Sequence, residues 1–440
     1  MKVTIIPGQA LRGTVILPGD KSISHRAILF AAMASGTSVI NHALFSGVTL
    51  PLLTAIRECG VPWRRDEERL TIESLGYRFW QPPEEPIDCG NSATTIRLLA
   101  GALAAAGSAA VLDGSEGLRK RPMDRVLEPL RMMGVPIHGA EGDRAPLTLK
   151  GHPSEVRLLN PVIRLSVASA QVKTAVLVAG FSAEGPLDVH EPSLSRDHTE
   201  RMLREMGVEV KTTINPGGEA VHRLTPPRGP LPPLRITVPG DMSSAAFLIV
   251  AALTTPGSEL ELKGVGLNPG RTGLLEALQE MGADVRIENR HDMGGEPVGD
   301  LTVRHSALKG IRISGERVVR MIDEFPIFAV AAAHAEGATE VREARELRFK
   351  ESDRIAALRN ELTPLGIPMI EFDDGFAIEG GRPIRGGFAN ARGDHRLAMS
   401  LAVAGLSSTE PVVIDGAEMV AESFPGFFDV LAQAGARVVT

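Results

Sequence analysis

Val15–Ala27 reads VILPGDKSISHRA, and Arg235–Phe247 reads RITVPGDMSSAAF. In each, an apolar, strand-like run ends in Pro-Gly-Asp and a helix-forming segment follows at once. Pro18, Gly19, Asp20 and Ser22 match Pro239, Gly240, Asp241 and Ser243 at a constant offset of 221 positions. Two copies of one strand-turn-helix unit, half a chain apart, predict two similar halves between which the chain crosses twice. The expected domains are residues 20–239 and residues 240–440 with 1–19. A stretch rich in Pro and Gly, Pro216–Pro239, leads into the second crossing.

A finer repeat lies inside each half. Amphipathic segments close on Gly60, Gly134, Gly207, Gly282, Gly366 and Gly435, spaced 69 to 84 residues apart. Ile56, Leu130, Leu203, Leu278, Leu362 and Leu431 each stand four positions earlier, so each glycine reads as a helix C-terminal cap. Ahead of every such helix comes a polar cluster, near Lys21, Asn91, Ser169, Asp241, Asp323 and Asp394, that opens an alanine-rich helix. Segments such as Leu98–Ala106 and Phe325–Ala335 are apolar nearly all round, which predicts helices buried among other elements. Strands rich in Val, Ile and Thr follow, as in VEVKTTI, ADVRIE and LTVRH, and mixed sheets are expected. The sixth copy has one strand after its helix, while Lys2–Leu17 supplies two strands before any helix, so the N-terminal strands are expected to complete the last repeat. The fold class is α/β, with three pseudo-repeats in each of two domains.

Composition narrows the function. The 440 residues are 43% hydrophobic and 23% charged, enough for two or three cores and unlike a disordered chain. Lys and Arg total 47 against 54 Asp and Glu, a net charge of −7, so the bulk surface does not suit nucleic acid. Cys59 and Cys89 stand in no metal-ligand spacing, which argues against a zinc site or a disulfide framework and fits a reducing compartment. MKVTIIPGQALRG lacks the long apolar core of a signal peptide, and a soluble, cytoplasmic chain without a membrane anchor is expected.

Three buried helices per domain, each opening at a polar cluster, would aim several N-termini at one interdomain face. Helix N-termini carry unpaired N–H groups and partial positive charge, so such a face suits anions. Cations stand among the clusters: Lys21, Arg26, Arg97, Lys173 and Arg396. The string GDKS resembles the end of a phosphate-binding loop, but Val15 and Asp20 occupy the places of its two glycines, which argues against a nucleotide kinase of that type. Asp323 alone would serve as an ordinary N-cap, and FKESDR at Phe349–Arg354 as a solvated, salt-bridged helix start. In GDHRLAMS at Gly393–Ser400, an Asp, a His and an Arg open a buried helix, a costly arrangement unless a ligand or partner satisfies them.

GDKSISHRA, DCGNSATTIR, KRPM, SAQVK, SRDHTE, FKESDR and GDHRLAMS, in that order, resemble the successive signatures of the 5-enolpyruvylshikimate-3-phosphate synthases. The resemblance runs from about Lys2 to Phe424. It implies the enolpyruvyl transferase fold, an inside-out α/β barrel of two domains with the active site in the cleft between them. It also implies transfer of the carboxyvinyl group of phosphoenolpyruvate to the 5-hydroxyl of shikimate 3-phosphate, with release of phosphate, in the shikimate pathway to chorismate and the aromatic amino acids. No metal or organic cofactor is implied. By motif, Lys21, Ser22, Arg26, Ser169, Gln171, Arg196, Asp323 and Lys350 would hold shikimate 3-phosphate. Lys21, Ala93, Arg121, Gln171, Arg354 and Arg396 would hold phosphoenolpyruvate. The resemblance makes Glu351 the proton donor to the methylene, Asp323 the base near the 5-hydroxyl, and Lys21 a charge stabiliser and proton carrier. Ala93 stands where glyphosate-sensitive relatives carry glycine, and Leu98 where they commonly carry proline, so the tolerant subgroup, with weak glyphosate binding, is expected. A monomer without nucleic-acid or membrane partners is also expected.

Two positions depart from the family pattern: SGVT at Ser46–Thr49 replaces acidic residues, and Glu422 stands where one subgroup has lysine. The alternative of a UDP-N-acetylglucosamine enolpyruvyl transferase calls for a Lys-Asn pair and a loop cysteine, whereas Lys21 is followed by Ser22 and Gly114–Arg121 holds no cysteine. A noncatalytic α/β-repeat clamp around nucleic acid calls for a channel of cations, whereas acids stand beside the cations here.

Overall fold

The computed structural model describes residues 1–153 and 156–440. The chain divides into two compact units, one of Met1–Pro18, Pro239–Asp292 and Pro297–Thr440, the other of Gly19–Val238 with Met293–Glu296. The first is called the terminal unit below and the second the central unit.

Six helices carry the core: α1 (Lys21–Met33), α2 (Ala93–Ala106) and α3 (Ala170–Ala179) in the central unit, and α4 (Met242–Thr254), α5 (Phe325–His334) and α6 (His395–Leu406) in the terminal unit. All are buried over most of their length, as their all-round apolar sequences predict. Side chains cap most of their N-termini. Asp20 Oδ1 accepts from Ile23 N at 2.8 Å, Ser92 Oγ from Thr95 N at 3.1 Å, Asp241 Oδ1 from Ser243 N at 2.7 Å and Asp394 Oδ1 from Arg396 N at 2.9 Å. On α5 the cap residue is Glu324, with no side-chain cap bond. Asp323 therefore lies one position ahead of the cap, and its carboxylate turns to Lys350 instead of the helix.

The glycine signal resolves into one recurring closure. Gly60, Gly134, Gly207, Gly282, Gly366 and Gly435 all take positive φ, between 82° and 110° except for 75° at Gly207. The residue after each donates its N–H back to the apolar residue four positions before the glycine, as in Val61 to Ile56 at 2.9 Å and Ala436 to Leu431 at 2.9 Å. This bond satisfies a helix-end carbonyl and requires the left-handed residue that glycine supplies.

Among the described residues there are six four-stranded sheets, three in each unit. Each has one parallel edge pair with antiparallel pairing beside it. In four repeats the strand before a buried helix pairs parallel with the strand after it, as Ile163–Arg164 does with Leu187–Glu191 across α3. At the two crossings the edges are exchanged. Arg12–Ile16 runs into α1 yet pairs parallel with Glu259–Gly266 in the terminal unit, and Arg235–Thr237 runs into α4 yet pairs parallel with Ser35–Asn41 in the central unit. This corrects half of the expectation for the N-terminus. Lys2–Ile6 does complete the sixth repeat, between Val412–Asp415 and Arg437–Val439, whereas Arg12–Ile16 closes the sheet of the fourth. A strand that precedes a crossing cannot pair across its own helix, so it fills the parallel edge left open in the unit where it stays.

Within the central unit α2 and α3 pack closely at Gly101. A Cβ there would lie 2.2 Å from the carbonyl oxygen of Ala175. Backbone approach at this range fixes where the N-terminal turns of both helices stand.

Candidate active site

In the central unit, Lys21 and Ser22 form the first turn of α1 and remain half-buried. Arg26, one turn further, is 2% exposed. Its Nε donates to Thr199 Oγ1 at 2.7 Å, Nη1 to Ser22 O at 3.0 Å, and Nη2 to Ala170 O at 3.1 Å and Thr174 Oγ1 at 2.8 Å. Four of its five N–H groups thus bind α1, α3 and the helix His198–Glu205 together at their N-terminal ends. Arg26 joins Ser22 to the Ser169–Gln171 turn.

Gln171 is oriented on both sides. Arg97 Nη1 donates to its Oε1 at 2.8 Å, and its Nε2 donates to Thr94 Oγ1 at 3.0 Å. Arg97 Nη2 also reaches Pro122 O at 3.0 Å, next to Arg121. Gln171, α2 and the Arg121 segment are therefore one hydrogen-bonded set, with Ala93 buried at the first turn of α2. The sequence marked Arg97 only as a cation; its spacing from Gln171 gives no sign that it sets the amide. Arg196 sits half-buried in the turn after Glu191.

His25, inside α1, faces two carbonyls, with Nδ1 at 2.7 Å from Lys21 O and Nε2 at 2.9 Å from Val48 O. Burial, helped by the charges of Lys21 and Arg26, outweighs those acceptors and pushes its pKa down to about 4. The ring is neutral at physiological pH.

The terminal unit gathers a second set. Lys350 Nζ lies 3.2 Å from Asp323 Oδ1, and Arg354 Nη1 lies 3.7 Å from the same oxygen. Arg354 Nη2 is 2.7 Å from Glu351 Oε2 and its Nε 2.8 Å from Asp394 Oδ2, which also accepts from Ser352 Oγ at 3.0 Å. Arg354 is 2% exposed, so FKESDR is not a solvated helix start. Burial disfavours its charge, but Asp394 and Glu351 outweigh that and raise its pKa further. Asp323, Lys350, Glu351 and Arg354 are thus in one cluster, and Asp394 links it to the first turn of α6, where Arg396 stands. Arg396 Nη1 lies 3.8 Å from Glu324 Oε1, and Glu324 in turn accepts from Ser243 Oγ. Arg271 donates to Ser243 Oγ at 2.6 Å and to Asp241 Oδ1 at 2.8 Å. Glu324 and Arg271 went unmarked in the sequence because their burial arises only when α4 and α5 come together.

Each set holds cations against helix N-termini, and the second adds two half-buried carboxylates suited to proton transfer. The model of EPSP synthase (3-phosphoshikimate 1-carboxyvinyltransferase) matches residues 5–431. The chain belongs to the EPSP synthase family. It is similar to the 3-phosphoshikimate 1-carboxyvinyltransferase of Geobacter metallireducens, 46% identical over 99% of each chain, and to that of Synechococcus, 45% identical over 98% of each. Among solved structures, the EPSP synthase of Acinetobacter baumannii is 41% identical, covers both chains fully and gives a TM-score of 0.87. The enolpyruvyl transferase NikO of Streptomyces tendae, at 21% identity and a TM-score of 0.79, shares the fold.

Among EPSP synthase features, the departure at Ser46–Thr49 is a self-contained turn. Thr49 Oγ1 donates to Leu44 O at 2.8 Å and accepts from Ser46 N at 2.9 Å, and both residues are buried. Glu422 ends the short turn Ala417–Glu422, half-buried. Neither cysteine is a nucleophile: burial pushes the Cys59 thiol up to about 12 and raises Cys89 likewise, with neighbouring carboxylates adding to both. No described helix is long and apolar enough to cross a membrane.

Proposed function

We propose that the two residue sets act on one pair of substrates, with the carboxylates of the terminal unit as the proton-transfer groups. As a 3-phosphoshikimate 1-carboxyvinyltransferase of the shikimate pathway, the protein transfers the carboxyvinyl group of phosphoenolpyruvate to shikimate 3-phosphate, at its 5-hydroxyl, and releases phosphate. The observation that carries the assignment is the Asp323–Lys350–Glu351–Arg354 cluster, in which a lysine and a buried guanidinium face two carboxylates.

In this reading Lys21, Ser22, Arg26, Ser169, Gln171, Arg196, Asp323 and Lys350 serve shikimate 3-phosphate, with Arg26 acting chiefly through Ser22 and the Ser169–Gln171 turn. Lys21, Arg121, Gln171, Arg354 and Arg396 serve phosphoenolpyruvate. Anionic phosphoenolpyruvate drawing on Arg354 relieves Glu351 of its counter-charge and raises the carboxyl's proton affinity. Glu351 then protonates the methylene, which makes C2 electrophilic. Asp323 takes the proton of the attacking 5-hydroxyl, and the tetrahedral adduct expels phosphate against Lys21 and the arginines as the proton returns from the methyl group. Glu351→Gln is expected to lower turnover by about two orders of magnitude or more with smaller changes in substrate binding. Steady-state kinetics check this, and near-normal turnover removes Glu351 from its role.

Three finer properties complete the proposal. Ala93 places a methyl group at the start of α2 that opposes glyphosate more than phosphoenolpyruvate. The chain acts as a monomer, in keeping with its carrying both residue sets. It works in the cytoplasm, a location that its two buried thiols suit.

A further inference from the structure

The third repeat buries four ionisable side chains for which the reaction has no use. Lys173 on α3, Glu191 at the end of Leu187–Glu191, Glu200 on the helix His198–Glu205 and His222 on Ala220–Leu224 all have fully buried side chains. Each comes from a different element of the repeat. Lys173 Nζ lies 3.0 Å from Glu191 Oε1 and 2.8 Å from Glu200 Oε1. His222 bridges the same two carboxylates from the other side, Nε2 at 2.9 Å from Glu191 Oε1 and Nδ1 at 3.0 Å from Glu200 Oε1, with Thr212 Oγ1 also 3.0 Å from Nδ1. Arg26 is a further charge acting with Glu200. Burial opposes every one of these charges. His222 and Lys173 nonetheless hold Glu191 and Glu200 below the usual carboxylate range, and the carboxylates hold Lys173 and His222 high. With His222 protonated, the four charges cancel.

An all-apolar filling would serve stability as well or better, so a neutral buried quartet calls for a reason beyond stability. One of its outward connections, beside those to Thr212 and Arg26, supplies that reason. Glu191 Oε1 also accepts the backbone N–H of Ser195 at 2.9 Å, in the turn that carries Arg196. We propose that the Lys173–Glu191–Glu200–His222 quartet is a positioning device that, through Glu191 and the Ser195 backbone, sets the place of Arg196 for the phosphorylated substrate. The inference rests on the assignment of Arg196 to shikimate 3-phosphate.

The test is a double-mutant cycle on the full-length enzyme with Glu191→Gln and Arg196→Ala, read as separate KM and kcat values. Glu191→Gln alone is expected to raise the KM for shikimate 3-phosphate about tenfold, leaving kcat and the KM for phosphoenolpyruvate within about twofold. In the Arg196→Ala background it is expected to add less than about twofold, because the group it positions is gone. An effect on kcat instead of KM, full additivity, or no effect overturns the proposal. Arg196→Ala with an unchanged KM for shikimate 3-phosphate overturns the substrate assignment beneath it, a result distinct from additivity. Should Glu191→Gln not fold, Glu191→Asp, whose shorter side chain draws the carboxylate back from the Ser195 N–H, takes its place with the same expected and contrary results.

Discussion

Ala93 carries the proposal that turns on a single methyl group. It is the first residue of α2 and 5% exposed, and in the proposed site its methyl group stands at the helix N-terminus assigned to phosphoenolpyruvate. A longer extended inhibitor loses more from that than the compact substrate does. Ala93→Gly is expected to lower the inhibition constant of glyphosate by about tenfold or more while the KM for phosphoenolpyruvate changes less. Equal inhibition constants with intact catalysis would show that the methyl group does not discriminate. Residue identities of this kind are legible in the sequence because Lys21, Gln171, Asp323 and Glu351 stand in motifs. What the motifs leave out is which partner each side chain finds. Arg26 and Arg354 are equally basic in the sequence, yet the first is engaged by hydroxyls and carbonyls and the second by three carboxylates.

Helices carry the next level of constraint. The buried helices were legible because nearly every position in them is apolar, and the glycine closures because only glycine suits a left-handed residue in that place. Pairing was less legible. The parallel edge strands, such as Ile163–Arg164 and Ile87–Asp88, are two residues long and carry no periodicity, and the exchange of Arg12–Ile16 into the fourth repeat depends on the path of the whole chain. Gly101 belongs to this scale. It looks like a weak point in a helix, but its missing side chain is what admits Ala175 of α3. Gly101→Ala is expected to destabilise the protein by about 3 kcal/mol, despite alanine's better helix propensity, because backbone on both sides must move. Denaturant unfolding of the two proteins checks this, and an unchanged or raised midpoint would show that the helices are free to part.

At the scale of the whole molecule, stability and chemistry both depend on charges that burial has gathered. His25 binds its proton only near pH 4 when folded and near 6.5 when unfolded, so the unfolded chain takes up the proton first as pH falls. Stability therefore drops across that window by on the order of 3 kcal/mol. Below about pH 4.5 a second loss follows, because the unfolded chain takes up protons on Glu191, Glu200 and Asp394 while the fold holds these carboxyls low and unprotonated. Urea midpoints measured between pH 7 and pH 4 are expected to fall, and His25→Asn to flatten the first part of the fall; a flat profile in the parent protein contradicts the account. The catalytic chemistry has a more direct test, since cations gathered in both halves and acids in one have a purpose only if phosphoenolpyruvate reacts when its co-substrate is bound. Inorganic phosphate released from phosphoenolpyruvate by the folded protein should be negligible alone and should rise to steady turnover when shikimate 3-phosphate is added. No release with both substrates present, or release that is indifferent to shikimate 3-phosphate, would contradict it.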